Sequence, residues 1–297
     1  MTITLLAVPN VSEGQDPATV QQVAQDFQRQ PDVRLLDVHS DPDHHRSVYT
    51  LAGGPRALSE ALVQGAGGAV ARIDIRRHQG AHPRIGAIDI APVVYLREED
   101  VGAACAEALV LADRLGQEVQ LPVFLYGALA GGRSRAEVRR GGAETLAERM
   151  VAGELTPDFG PRELHPTAGA VLVGVRPPLA AFNVELAPPA TLDDAKAVAA
   201  AIREGGSHGL PGVRAFGLWL GGPAAAQVSM NVEDTLDVPL ARVVAAIAQQ
   251  ATPARAEVVG LVPAAALRGF PADLPVRGAR TIEDALAAAH GEPAETD

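Results

Sequence analysis

An α+β chain of two subdomains is what the sequence predicts, on three observations. The order of apolar patterns runs strand-helix-strand-strand-helix-strand, and then runs so again. Two prolines, Pro177 and Pro178, interrupt the apolar pattern between the two runs. The chain has 297 residues, long for one core, and two units of roughly 100–150 residues are a natural division.

In the first run, residues 2–8 alternate around Ile3, Leu5 and Ala7, which predicts a strand stopped by Pro9 and Asn10. Residues 16–29 place Val20, Val23, Ala24 and Phe27 at helical spacing, with Pro17 where a first turn tolerates it. Strands are predicted at 33–38 and 47–52, on either side of the polar loop SDPDHH. Pro55 opens a helix to about Gly65 or beyond, with Ala57, Leu58, Ala61 and Leu62 on one face. A strand over 85–96 centres on Ile88, Ile90 and Val93, and a helix (98–115) and a strand (122–126) are appended. In the second run, 179–186 reads as a strand and 192–203 as a helix with Asp193 and Asp194 in its first turn. Val213–Leu220 and 226–232 are strands, 236–249 a helix and 256–262 a strand. Each run has the split βαβ order of ferredoxin-like folds. The join near 176–178 divides the chain into subdomains 1–177 and 178–297. Residues 281–290 predict a terminal helix and 291–297 a frayed tail.

Composition excludes several function classes. A net charge of −11 argues against nucleic-acid binding through a basic surface. One cysteine excludes an intramolecular disulfide framework and a Cys-rich zinc module. No apolar run is long enough for a membrane span, and the N-terminus lacks the basic region of a signal peptide. The expectation is a soluble, cytoplasmic protein. Lys196 is the only lysine among 25 basic Lys and Arg residues. Planar guanidinium forks suit carboxylate ligands, although codon bias produces the same skew.

Five of the eight histidines, His39, His44, His45, His78 and His82, lie in the first third of the chain. RRHQGAHPRIGAIDI is the densest segment, with Gly80 and Gly86 as pivots and Pro83 fixing the backbone beside His82. Loops so shaped present ligand-facing side chains, and an imidazole titrates near neutrality, so His82 is the candidate general acid/base. The alternative is a structural histidine bonded to a nearby carbonyl. His78 and His82 have the i, i+4 spacing of a metal pair, but Gly80 and Pro83 disfavour the helix such a pair needs. GALAGGRS has phosphate-loop spacing with Arg133 in place of the lysine; a flexible connection is the plainer reading. The arginine-rich run RSRAEVRR could attract carboxylates or form a solvated helix face. Cys105, among alanines, reads as a small buried residue. Residues 157–170 form a long irregular stretch of the kind that carries function. Asn183, Gln227 and Asn231 place amides on otherwise apolar strands, where they suit a polar heterocycle or simply face solvent.

The strings VPNVSEG, DPDHHRSVYTLAGG, RRHQGAHPRIGAIDIAP, PVFLYG, PDFGP, HPTAGAVLVGVRPPLAAFNV, GLPGVRAFGLWL and QVSMN together resemble the glutamate formiminotransferase family, in its form without a fused cyclodeaminase. They fall in order from near residue 7 to about 231. The resemblance implies two ferredoxin-like subdomains whose sheets face each other across a ligand tunnel. It implies transfer of the formimino group from N-formiminoglutamate to N5 of tetrahydrofolate, in histidine degradation, with the folate as co-substrate and no metal. The family's catalytic histidine falls on His82. Its folate-contacting segment falls on Gly160, Pro161, Arg162, Glu163, Leu164, His165, Pro166, Thr167, Ala168 and Gly169. The sheet amides Asn183, Gln227 and Asn231 join that set as folate-binding candidates. Arg46, Arg76, Arg77 and Arg84 are candidates for the substrate carboxylates by their chemistry. Family members tend to dimerise, so a homodimer is a candidate assembly, though no apolar interface stripe is evident. The chain departs from the family at His39, His45, Ala81, Ala128 and Glu185. These changes keep a second hypothesis in view: a folate-binding homologue that uses another one-carbon donor, such as N-formylglutamate, or lacks transfer.

Overall fold

In the computed structural model, which describes residues 3–221 and 224–290, Pro9 splits the first strand rather than ending it. β1 (Leu5–Ala7) gives way at Val8 and Pro9, and β2 (Asn10–Val11) resumes the pairing. Proline has no N–H for the ladder, but the Pro9 carbonyl still accepts from Tyr49 N at 3.0 Å. Thr2, assigned to this strand from sequence, and the tail 291–297 lie outside the described residues.

The chain divides into two units, Met1–Pro177 and Pro178–Asp297. The first continues with α1 (Pro17–Phe27), β3 (Val33–Asp41), β4 (Arg46–Gly53), α2 (Ala57–Arg72) and β5 (Ile88–Tyr95). There follow α3 (Val101–Glu118), β6 (Val123–Tyr126), α4 (Arg135–Arg139), α5 (Gly142–Val151) and β7 (Val171–Arg176). Asp16 caps α1 by accepting from Ala18 N and Thr19 N, worth about 1 kcal/mol. β3 pairs antiparallel with β4, β4 with β1 and β2, and these with β5; β5, β7 and β6 then run parallel. A fully buried core of Leu5, Val23, Phe27, Tyr49, Leu58, Leu62, Leu111 and Leu115 joins the sheet to α1, α2 and α3. Each such side chain contributes roughly 1.5–3 kcal/mol on leaving water. A separate apolar cluster seats Val138 of α4 and Leu146 of α5 on Ile85, Ile90, Phe124 and Leu172. That seat fixes α4, which carries Arg139.

The second unit holds β8 (Ala180–Leu186), α6 (Leu192–Ile202), β9 (Val213–Leu220), β10 (Ala225–Val232), α7 (Leu240–Ala248) and β11 (Pro253–Val258). β12 (Leu261–Val262), β13 (Val276–Arg277), β14 (Arg280–Thr281) and α8 (Ile282–His290) follow. Its sheet runs β13-β11-β8-β10-β9, and β12 pairs with β14. Thr191 and Asp194 form a reciprocal capping box on α6. Two expectations shift here. The helix expected over 236–249 begins only at Leu240, because the Asp234 carboxylate turns the chain by accepting from Leu236 N and Asp237 N, and Pro239 follows. The strand expected over 256–262 breaks at Gly260, whose φ is +75°, and its last two residues pair elsewhere. No helix among the described residues is long and apolar enough to cross a membrane.

Candidate active site

The histidine-rich loop between α2 and β5 is folded against its own backbone. It opens with a 3-10 turn, Ile75–Arg77, capped by the Asp74 carboxylate. Arg84 turns its guanidinium back onto the loop and donates to the carbonyls of His78 and Gly80. The His78 ring stacks on His45 with centroids 3.9 Å apart, and its Nε2 lies 2.7 Å from the His45 carbonyl oxygen. Burial lowers the His78 pKa to about 4, so the ring is neutral and Nε2 donates. His45 spans to Gln79 O and to the Glu13 carboxylate, each at 3.1 Å. Ala81 N donates to Asp43 O at 3.2 Å.

This frame presents His82, which is half-buried. Its Nδ1 lies 2.7 Å from the Pro83 carbonyl oxygen. A carbonyl only accepts, so Nδ1 carries a proton, and in the neutral ring Nε2 is the basic nitrogen. The plainer alternative, a histidine bonded to a carbonyl, is therefore true of Nδ1. Loss of surrounding water, and then the charges of Arg46 and Arg139, push the His82 pKa well below the ordinary histidine value.

The irregular segment 160–169 lies directly against this loop. Ile75 N donates to Thr167 O, Ala87 N to Ala168 O, and Ala170 N to Ile85 O, at 2.9–3.0 Å. The approach is so close that glycine is required on both sides. A Cβ on Gly169, whose φ is +69°, would meet Ile85 O at 2.1 Å, and one on Gly86 would meet Ala170 O at 1.9 Å. His165 is spent on the turn: its Nδ1 accepts from Ala168 N at 3.0 Å, and its backbone exchanges hydrogen bonds with Gly169. Arg162, Glu163 and Pro166 are exposed, while Pro161, Leu164 and Thr167 are half-buried. At the other end Gly160, at φ +78°, sits beneath the Leu121 carbonyl.

The four candidate arginines separate by partner. Arg76 pairs with Asp74 at 2.6 Å and is mostly exposed; Arg77 is more exposed still and 3.9 Å from the same carboxylate. Arg84 braces the loop. Arg46 alone is drawn into a buried charge cluster. Its Nη1 donates to Asp89 Oδ2 at 2.8 Å and its Nε to Asn10 Oδ1 at 3.0 Å. Asp89 has no exposed surface; it also accepts from Arg139 Nη2 at 2.5 Å and from Ile85 N at 2.8 Å. Burial opposes ionisation of Asp89, but Arg139 and Arg46 outweigh it and hold the carboxyl well below the usual carboxylate range. Neither Asp89 nor Arg139 was singled out by the motifs. A lone acid within the apolar run IDIAPVV was the available signal.

In the second unit, the register puts Asn183, Gln227 and Asn231 on one face of the sheet, together with Glu185 and Glu257. Asn183 is buried and donates to Glu257 at 3.2 Å; Gln227 is buried and Asn231 half-buried. Glu185 pairs with Arg255 at 2.8 Å. Arg133, in the loop with phosphate-binding spacing, is clamped by Asp158 through two bonds of 2.9 and 3.0 Å. Among the described residues no group of three or more His, Cys, Asp and Glu side chains is arranged to hold a metal ion.

Two family models match the chain: the formiminotransferase domain, N-terminal subdomain, over residues 4–176, and the formiminotransferase domain over 181–270. The chain is 37% identical to a glutamate formimidoyltransferase of Streptococcus pyogenes, across 88% of this chain and 89% of that one. It is 33% identical to a glutamate formimidoyltransferase of Thermoplasma acidophilum, across 88% of each. It is 38% identical to a formimidoyltransferase-cyclodeaminase of Sus scrofa, across 76% of this chain and 43% of that longer protein.

Proposed function

This chain belongs to the formiminotransferase family, and on that premise we propose that it transfers the formimino group of N-formiminoglutamate to N5 of tetrahydrofolate, with His82 as general acid and base. Its relatives' names support the reaction, and the setting of His82 supports its proposed role. N5 attacks the amidinium carbon and a tetrahedral adduct forms. His82 Nε2 takes the proton that N5 must lose, and then gives it to the glutamate nitrogen, which departs as the amine. The formimino carbon leaves on N5 with its positive charge, so one imidazole closes the proton cycle. A pKa held low by lost hydration and two arginines keeps the ring unprotonated at neutral pH, ready as the base. The same setting makes its protonated form a strong acid toward the leaving nitrogen. Holding both substrates together supplies much of the remaining rate.

The observation that carries this reading is the hydrogen-bonded seam between the His82 loop and the segment 160–169, the proposed folate contact. The sheet amides Asn183, Gln227 and Asn231 are further candidates for folate binding. Strand orders β3-β4-β1/β2-β5 and β9-β10-β8-β11 support a ferredoxin-like reading of each unit, with parallel strands added at one edge. The experiment mixes the protein with both substrates and follows formimino-tetrahydrofolate by its acid conversion to the methenyl form. His82→Ala is expected to abolish turnover while folate affinity stays within a few-fold. Wild-type rates in that variant would remove His82 from the mechanism. No turnover by the unaltered chain, with folate binding intact by calorimetry, would favour another one-carbon donor.

A further inference from the structure

Arg139 has more donors than its partners use. Its Nη2 donates to Asp89, while its Nε is buried without a hydrogen-bond partner among the described residues. Arg46 shares the same Asp89 oxygen. One buried carboxylate thus faces two guanidinium groups, and the cluster holds a surplus positive charge. A buried surplus charge and a buried orphan donor each cost free energy until an acceptor of opposite sign arrives. Asp89 is sealed from solvent, whereas Arg46 and Arg139 retain 9% and 14% side-chain exposure, so a ligand can reach them.

We propose that Arg139, together with Arg46, forms the carboxylate-binding pair for the amino-acid donor, with Asp89 as the buried strut that orients both guanidinium planes. The identity of the ligand rests on the transfer reading above. Two sources could supply a glutamyl carboxylate: the donor, and the tail of tetrahydrofolate. The geometry favours the donor. Ile85, whose N donates to Asp89 at 2.8 Å, lies three residues beyond His82, so the arginine cluster is tied to the loop that carries the proposed base. In the donor, the α-carboxylate is attached to the very carbon that bears the leaving nitrogen. In the folate, the glutamyl carboxylates lie beyond the benzoyl ring, far from N5.

The test is calorimetry of N-formylglutamate, tetrahydrofolate and tetrahydropteroate, each alone, on the full chain and on Arg139→Gln and Arg139→Lys. N-formylglutamate should bind Arg139→Gln about 10-fold more weakly or worse, with the lysine variant between. Both pterin ligands should bind within about 2-fold of the original. A folded Arg139→Gln that binds N-formylglutamate normally overturns the proposal. So does a loss confined to tetrahydrofolate and absent for tetrahydropteroate, because the site would then belong to the folate tail. If the glutamine variant does not fold, the unaltered protein decides the matter. N-formylglutamate should protect Arg139 from phenylglyoxal, read by peptide mass; unchanged labelling overturns the proposal. Formimino transfer is measured separately, so a chain that binds through Arg139 without transferring keeps the site and removes the transfer reading.

Discussion

Asp89→Asn is the substitution that most directly probes the charge cluster. The side chain keeps its shape, and its carbonyl can still accept from Ile85 N, but the negative charge between two arginines is gone. Removing one partner of a buried ion pair costs about 3–5 kcal/mol, because the other charge is left buried and unpaired. Here two guanidinium groups lose their counter-charge, at 2.8 and 2.5 Å. A retained neutral hydrogen bond offsets about 1 kcal/mol, leaving a loss of about 2–4 kcal/mol. For a unit of this size that lowers Tm by roughly 5–15 °C. The assay is thermal unfolding followed by circular dichroism at pH 7, where the native carboxyl is ionised. The sign in pH follows from its lowered pKa. Its contribution is whole above the unfolded carboxyl value and fades as pH falls through the folded one, so the variant's deficit should shrink in acid. Pairing Asp89→Asn with Arg139→Gln removes one stranded charge and should recover part of the loss. An Asp89→Asn protein that melts within about 2 °C of the original, or a double variant whose losses simply add, would refute the buried cluster.

Other consequences follow from the same geometry. The acid limb of kcat/KM should lie below pH 6.5, the ordinary histidine value, because a base must be unprotonated and the His82 pKa is depressed; an acid limb at or above that pH would deny His82 the role of base. His78 stays neutral in the fold down to about pH 4 but would protonate near 6.5 once unfolded, so stability is whole above 6.5 and falls through that window by roughly 3 kcal/mol. His78→Gln should flatten Tm across that range, and an unchanged slope would assign the acid sensitivity elsewhere. Gly169→Ala forces a Cβ to 2.1 Å from Ile85 O at a left-handed φ, so it should lower Tm and weaken folate binding at least several-fold; unchanged folate affinity in a folded variant would separate segment 160–169 from the folate.

Which parts of this molecule were legible in its sequence depends on how far apart the interacting residues lie. The repeated β-α-β-β-α-β order showed because one-sided burial leaves a period in the chain, as at Val20, Val23, Ala24 and Phe27 on α1. β7 was missed for the opposite reason. A parallel strand between two others is buried on both faces, so VLVGV carries no alternation and merges with the approach to the prolines. α5 has no counterpart in the sequence reading, because Gly141 and Gly142 stand at its start where a helix former would mark it. The same logic governs the site. His82 stands out as a candidate because Gly80, Pro83 and Gly86 shape its loop locally. Arg76 has its counter-charge two residues away at Asp74, a pairing within reach of sequence reasoning. The partners of Asp89 lie 43 and 50 residues distant, at Arg46 and Arg139. Composition marks every arginine alike; only folding decides which guanidinium is spent on a neighbour, which braces a loop, and which is left with a buried N–H to offer. An orphan donor is a property of the packed chain, and that is why nothing sets Arg139 apart from the other three arginines of RSRAEVRR, a run that could equally attract carboxylates or form a solvated helix face.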